Sequence, residues 1–272
     1  MPAINTNVAA LFAQQSLKVN ERNQSNAMRQ LSTGSRVNTA ADDAAGMAIG
    51  QSMTSQVKGL NQAVRNLNDG INMMQTAEGA LGETSNMLQR MRELAVQSAS
   101  GTYSTTQRGY LQTEFDALSS QIAKIATDTK WNDQSLLSST TTFTFQAGKD
   151  SGQTVAVTIS PMGLTGLVAA STNVSVGTST SAITSLVKLD SAIGLVNIQR
   201  AKIGAGINRM TYAVDNLSNV AANAAASRSS IMDTDYATAS TQLSKTQIIQ
   251  QAATAMLAQA NQQPQAVLSL LK

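Results

Sequence analysis

The stretch MTSQVKGLNQAVRNLNDGINMMQTAEGALGETSNML, from Met53 to Leu88, decides the fold. At steps of four and three it sets Met53, Val57, Leu60, Val64, Leu67, Ile71, Met74, Glu78, Leu81, Ser85 and Leu88 along one line of a helix. That is a heptad seam. So narrow a stripe is satisfied by another long helix lying alongside. The partner stands near the other end of the chain, where the same spacing runs from Leu189 through Ile193, Val196, Arg200, Ile203, Ile207, Met210, Val214, Leu217, Ala221, Ala224, Arg228 and Ile231. The two seams predict an antiparallel or parallel rod that joins the N- and C-terminal regions, with the intervening chain inserted at its far end.

Composition agrees with a rod. Aromatic residues make up 3% of the 272 residues and the mean hydropathy is -0.10, which argues against a large globular core and for seams of Leu, Ile, Val, Met and Ala. Cysteine and histidine are both absent. Their absence removes Cys and His nucleophilic triads, the usual zinc ligands and the commonest general base, so neither an enzyme, a cofactor nor a metal site is expected. Met1 to Val19 has no basic run followed by an apolar run, so no secretory signal is expected. No stretch of about 20 apolar residues suggests a membrane span. The net charge of +3 is dispersed and has few aromatics beside it, which gives no support to nucleic-acid binding.

Along the chain, Ile4, Val8, Leu11, Phe12, Leu17, Val19, Met28 and Leu31 mark a weak amphipathic helix rich in Asn, Gln and Ala. A break over Ser32–Asp43 follows, with Asp42 and Asp43 placed to meet the positive end of the long helix. That helix is expected to reach about Ser100, on the order of 80 Å in length. Gly101 then turns the chain back. Ser104 and Gln107 form a candidate capping box for a third helix striped by Leu111, Phe115, Leu118, Ile122 and Ile125.

Thr127–Gln134 reads as a polar turn whose Trp131 packs over the bundle end. Thr142–Gln146 and Thr154–Ile159 alternate around Gly148–Gly152 as a β-hairpin. Pro161–Ser181 is expected to be a surface loop. Gly204, Ala205 and Gly206 lie inside the second seam and signal close helix packing, since no strand precedes them as a phosphate-binding turn requires. After a break at Ser229–Asp235 comes a last polar helix, Tyr236–Ala260, carrying Leu243, Ile248, Ile249, Ala252, Met256 and Leu257. It is expected to end near Pro264, ahead of an apolar tip of Val267, Leu268, Leu270 and Leu271.

Each end thus has a long seam, a break and a weak amphipathic tail. Such tails bury their stripes best against further copies of the chain, so folding and assembly are expected to be coupled. The contacts expected to drive assembly are Ile4, Val8, Leu11, Leu243, Ile249, Met256, Val267, Leu268 and Leu271.

Five segments, Ile4–Asn7, Gln30–Asn38, Ala41–Gly46, Met91–Ser98 and Pro264–Leu271, carry a resemblance to bacterial flagellin at both ends and in the same order. The resemblance implies a mainly α chain, a long antiparallel helical bundle or coiled-coil rod formed by the two terminal regions, with a small β-hairpin at the distal end. It implies tails at residues 1–44 and 231–272 that line the inner layer of an extracellular filament, a helical region at 45–160 and 182–230, and a short surface loop at 161–181 in place of outer domains. It also implies export, unfolded, through the flagellar type III apparatus. The partners implied are further copies of the chain, an export chaperone, the filament cap and the hook-associated junction protein. Arg90, Leu94 and Glu114 match the family's patch for the flagellin-recognising Toll-like receptor, or for the next subunit. The rival readings are a junction protein, which forms a short collar, and a trimeric adhesin, which normally carries a signal peptide and an anchor.

Overall fold

The computed structural model describes residues 7–167 and 174–269, with 164–165 and 263–269 as backbone. Its helices are α1 (Val8–Thr33), α2 (Ala44–Ala99), α3 (Thr105–Asp128), α4 (Leu164–Leu167), α5 (Ser179–Met232) and α6 (Tyr236–Ser269). Two antiparallel strand pairs lie between α3 and α4: β1 (Lys130–Trp131) with β2 (Gln134–Ser135), and β3 (Thr141–Gln146) with β4 (Thr154–Ile159). The chain forms two compact units, Lys58–Ala221 and Met1–Val57 with Ala222–Lys272.

In the unit Lys58–Ala221 the two seams meet. Leu60, Leu67, Met74, Leu81 and Leu88 of α2 are buried, as are Leu189, Val196, Ile203 and Met210 of α5. The charged seam positions Glu78 and Arg200 pair, Arg200 Nε donating to Glu78 Oε1 at 2.8 Å. Further along, Arg92 Nε donates to Asp190 Oδ1 at 2.6 Å and Ser179 Oγ to the Ala99 carbonyl at 2.9 Å. Numbers rise on α2 as they fall on α5, so the pair is antiparallel. The buried stripe of α2 is wider than the seam, taking in Ala63, Met73, Ala77, Met91 and Ala95, because further elements cover that helix. One is α3, which buries Phe115, Ile122 and Ala126. Both bonds of the capping box form: Ser104 N donates to Gln107 Oε1 at 2.9 Å and Gln107 N to Ser104 Oγ at 3.3 Å. Arg108 ties α3 to the end of α2 by donating to the carbonyls of Ser98 and Ser100, which have no helical partner there.

The larger hairpin pairs Phe143 with Val157 and Phe145 with Val155, and it is seated in two glycine notches. A Cβ on Gly70 of α2 would lie 2.8 Å from Phe145 Cδ1, and one on Gly206 of α5 would lie 2.8 Å from Val157 Cγ2. Gly204–Gly206 is therefore continuous helix whose missing side chain admits a strand. Two expectations change in this region. Thr127–Gln134 is not merely a turn, since α3 continues to Asp128 and β1 turns into β2 through Asn132 and Asp133, both at positive φ, as a two-residue hairpin loop demands. Trp131 comes three residues after α3 ends, beside the end of the three-helix part. It shares a groove with Asn66, Asp69, Gly70 and Met73, part-way along α2. Pro161–Ser181 is not only surface, because Met162, Leu167 and Val176 are buried in the core. Single apolar residues scattered in a Ser, Thr and Gly context have no period to betray them; residues 168–173 lie outside the described set.

In the other unit α1 and α6 pack together. Asn7 Nδ2 donates to the Ala260 carbonyl at 2.8 Å and Asn20 Nδ2 to the Thr246 carbonyl at 2.7 Å, so these helices are antiparallel as well. Gly34, in the left-handed region at φ 70°, ends α1. Ser35 and Asp233 form an antiparallel bridge, flanked by Arg36 N to the Met232 carbonyl and Thr234 N to the Gly34 carbonyl. The two breaks are thus stitched to each other. Asp43 lies just outside α2 as its N-cap, accepting from Gly46 N at 2.8 Å. Asp42 instead holds the preceding turn through Asn38 N and Thr39 N. Helix α6 does not stop near Pro264 but runs to Ser269.

By length and composition alone α5 is apolar enough to cross a membrane. Its buried seam and its outward apolar residues add to the same average.

Candidate functional site

The α1–α6 pair is held by a seam of alanines and polar residues interspersed with Leu17, Leu31, Leu243 and Leu257. On α1 the covered positions are Ala10, Ala13, Leu17, Asn20, Gln24, Ala27 and Leu31, and on α6 they are Ala239, Leu243, Thr246, Gln250, Ala253, Leu257 and Ala260. Both sets follow the three-and-four spacing of a coiled coil. Other large apolar side chains lie outside the seam. Val8, Leu11, Phe12, Val19 and Met28 are exposed on α1, and Ile248, Ile249 and Met256 on α6, with Phe12 at 71% and Met256 at 66%. Of the expected assembly residues, Val8, Leu11, Ile249 and Met256 therefore face outward, while Leu243 is half-buried in the seam within the chain. Ile4 and Leu271 lie outside the described residues, and Val267 and Leu268 are described only as backbone of α6.

Sequence reasoning missed Asn7 and Asn20. A polar residue inside a heptad seam, as Asn20 is, and an Asn immediately before a helix were the available signals.

The second cluster bridges α2 and α3. Arg90 Nε donates to Glu114 Oε1 and its Nη1 to Glu93 Oε2, both at 2.9 Å. The hydrogen bond that Arg90 donates to Glu114, then the one it donates to Glu93, raises the guanidinium pKa above its ordinary value. All three side chains are about half exposed or more. Leu94 is not part of this surface. It is fully buried in the core, because one turn on from Arg90 the helix has rotated toward its covered side.

Neither cluster converges on a reacting atom. Among the described residues no group of three or more His, Cys, Asp or Glu is placed to hold a metal. What the molecule presents is apolar helix surface.

The bacterial flagellin N-terminal helical region matches residues 4–142, and the C-terminal helical region matches residues 186–271. The chain is 41% identical over 270 residues to a flagellin of Halalkalibacterium halodurans, covering 99% of each. It is 38% identical over 284 residues to the flagellar filament 33 kDa core protein of Treponema phagedenis, again covering 99% of each. Among solved structures, Bacillus cereus flagellin superposes with a TM-score of 0.52 at 32% identity, over 56% of this chain and 88% of that one. A putative flagellar hook-associated protein from Vibrio parahaemolyticus has a TM-score of 0.60 over 71% of this chain and 100% of that one, at 13% identity, a likeness of fold alone. With its helical regions matched at both ends and flagellins aligned along nearly its whole length, the chain belongs to the bacterial flagellin family, the structural subunits of the flagellar filament.

Proposed function

We propose that this chain leaves the cell unfolded through the flagellar type III apparatus and polymerises with copies of itself into the extracellular filament that drives motility. In that polymer residues 1–44 and 231–272 form the inner layer, and the helical region with its hairpin forms the layer outside it. The observation that carries this reading is the outward placement of Val8, Leu11, Phe12, Val19, Ile248, Ile249 and Met256 on a helix pair whose own seam is largely alanine and polar. Burying one large apolar side chain contributes roughly 1.5–3 kcal/mol, so these exposed side chains offer other subunits a substantial gain. Helix α5 also exposes Ile183, Val187, Leu195 and Ile198.

The remaining partners in this reading are an export chaperone, the filament cap and the hook-associated junction protein. The free monomer is recognised by the host Toll-like receptor through Arg90 and Glu114, two of the three residues that match the family's patch, while Leu94 is buried in the core.

Seeded polymerisation of the purified chain, followed by sedimentation and negative-stain electron microscopy, tests the reading. Long filaments are expected from the intact chain and none after removal of residues 267–272. Short rings would move the assignment to a junction protein.

A further inference from the structure

We propose that Asn7 and Pro264 form a latch that fixes the axial register of the two terminal helices. Proline has no backbone N–H, so at position 264 it deprives the carbonyl four residues earlier, that of Ala260, of its helical partner. That carbonyl is the one Asn7 takes, with Nδ2 donating at 2.8 Å. The other end of the same side chain is also engaged, Oδ1 accepting from Ala10 N at 3.1 Å to cap α1. Asp or Ser would supply the cap but no amide donor, so the pair of bonds selects Asn.

A second contact points the same way. Asn20, buried in the seam, donates through Nδ2 to the Thr246 carbonyl at 2.7 Å. The two donors are 20 − 7 = 13 residues apart on α1 and their acceptors 260 − 246 = 14 apart on α6, matching positions on antiparallel helices. A slip of one turn would carry Asn7 away from the carbonyl that Pro264 leaves open and abandon that carbonyl unpaired. An alanine-rich seam discriminates poorly between registers by shape, and a polar contact supplies the missing discrimination. Asn7 is thus a positioning residue for the tail pair, whether or not the chain polymerises.

The test uses the absence of cysteine from the chain. The register places Ala13 opposite Ala253, so the full chain carrying Ala13→Cys and Ala253→Cys reports pairing through its disulfide equilibrium against glutathione, measured before and after seeding. Asn7→Ser keeps a capping oxygen but loses the amide. It is expected to lower that equilibrium constant about fivefold, the worth of one net hydrogen bond. In the Pro264→Ala background, where the Ala260 carbonyl regains a helical N–H, Asn7→Ser is expected to change it by less than about twofold, the signature of coupled residues. An equal loss in both backgrounds, no loss in either, or a reporter that never closes overturns the latch. Filaments without the coupling refute the latch alone, and the coupling without filaments refutes the filament reading alone.

Discussion

Gly204 and Gly206 stand two residues apart on α5 and have opposite reasons to exist. A Cβ at Gly206 would press within 2.8 Å of the buried Val157, whereas one at Gly204 meets nothing within 4 Å. Gly204→Ala should therefore stabilise the fold by up to about 1 kcal/mol through helix propensity alone. Gly206→Ala should cost about 1 kcal/mol net, because overpacking of roughly 1–3 kcal/mol exceeds that gain. Urea midpoints of the two variants check both signs. In the sequence the two glycines are indistinguishable. The strand that separates them arrives from some fifty positions earlier.

At the scale of elements, the antiparallel register of α2 and α5 is marked by the one ion pair that joins their seams. Glu78 Oε2 is buried without a hydrogen-bond partner, so Arg200 supplies the compensation its carboxylate receives through Oε1. Arg200→Met should destabilise by about 1–3 kcal/mol, the penalty for a charged group losing its partner. Adding Glu78→Leu should recover most of that loss, measured as coupling in a denaturation cycle.

The start of α6 makes a prediction about pH. Asp235 accepts from Thr238 Oγ1, Ala237 N and Thr238 N, and these bonds, the Thr238 hydroxyl first, hold its pKa below the ordinary 3.8. A carboxylate whose folded pKa is depressed stabilises above the unfolded value and loses that contribution as pH falls through the folded one. The amide resonances of Ala237 and Thr238 should shift as pH drops below 3.8, and Asp235→Asn should abolish the transition.

For the whole molecule, the free energy of association resides in side chains the single chain leaves uncovered. Leu11→Asp or Met256→Asp places a charge on an outward tail face and should raise the critical concentration for polymerisation at least tenfold, since each forfeits roughly 1.5–3 kcal/mol of burial. The melting temperature of the soluble chain should hardly move, because neither residue is covered within it. Sedimentation and calorimetry on the same preparations separate the two effects.

The sequence by itself determined both long helices and their seams through heptad spacing, the third helix through its capping box and the hairpin through two-residue alternation, because each of these is a local period with a local stop. It also marked the tails as weakly apolar helices. Only the tertiary structure decided which tail residues face each other and which face outward, since Ala10, Ala13 and Ala253 have no hydrophobic signal strong enough to compete with Leu11 or Met256 on paper. It placed Leu94 in the core although Arg90, one turn away, is exposed, because Leu94 lies on the covered side of a stripe widened by further packed elements. And it gave Asn7 and Pro264 a shared role: a carbonyl without its N–H, and an amide able to reach it, lie 253 residues apart in the chain and meet only when the ends pair.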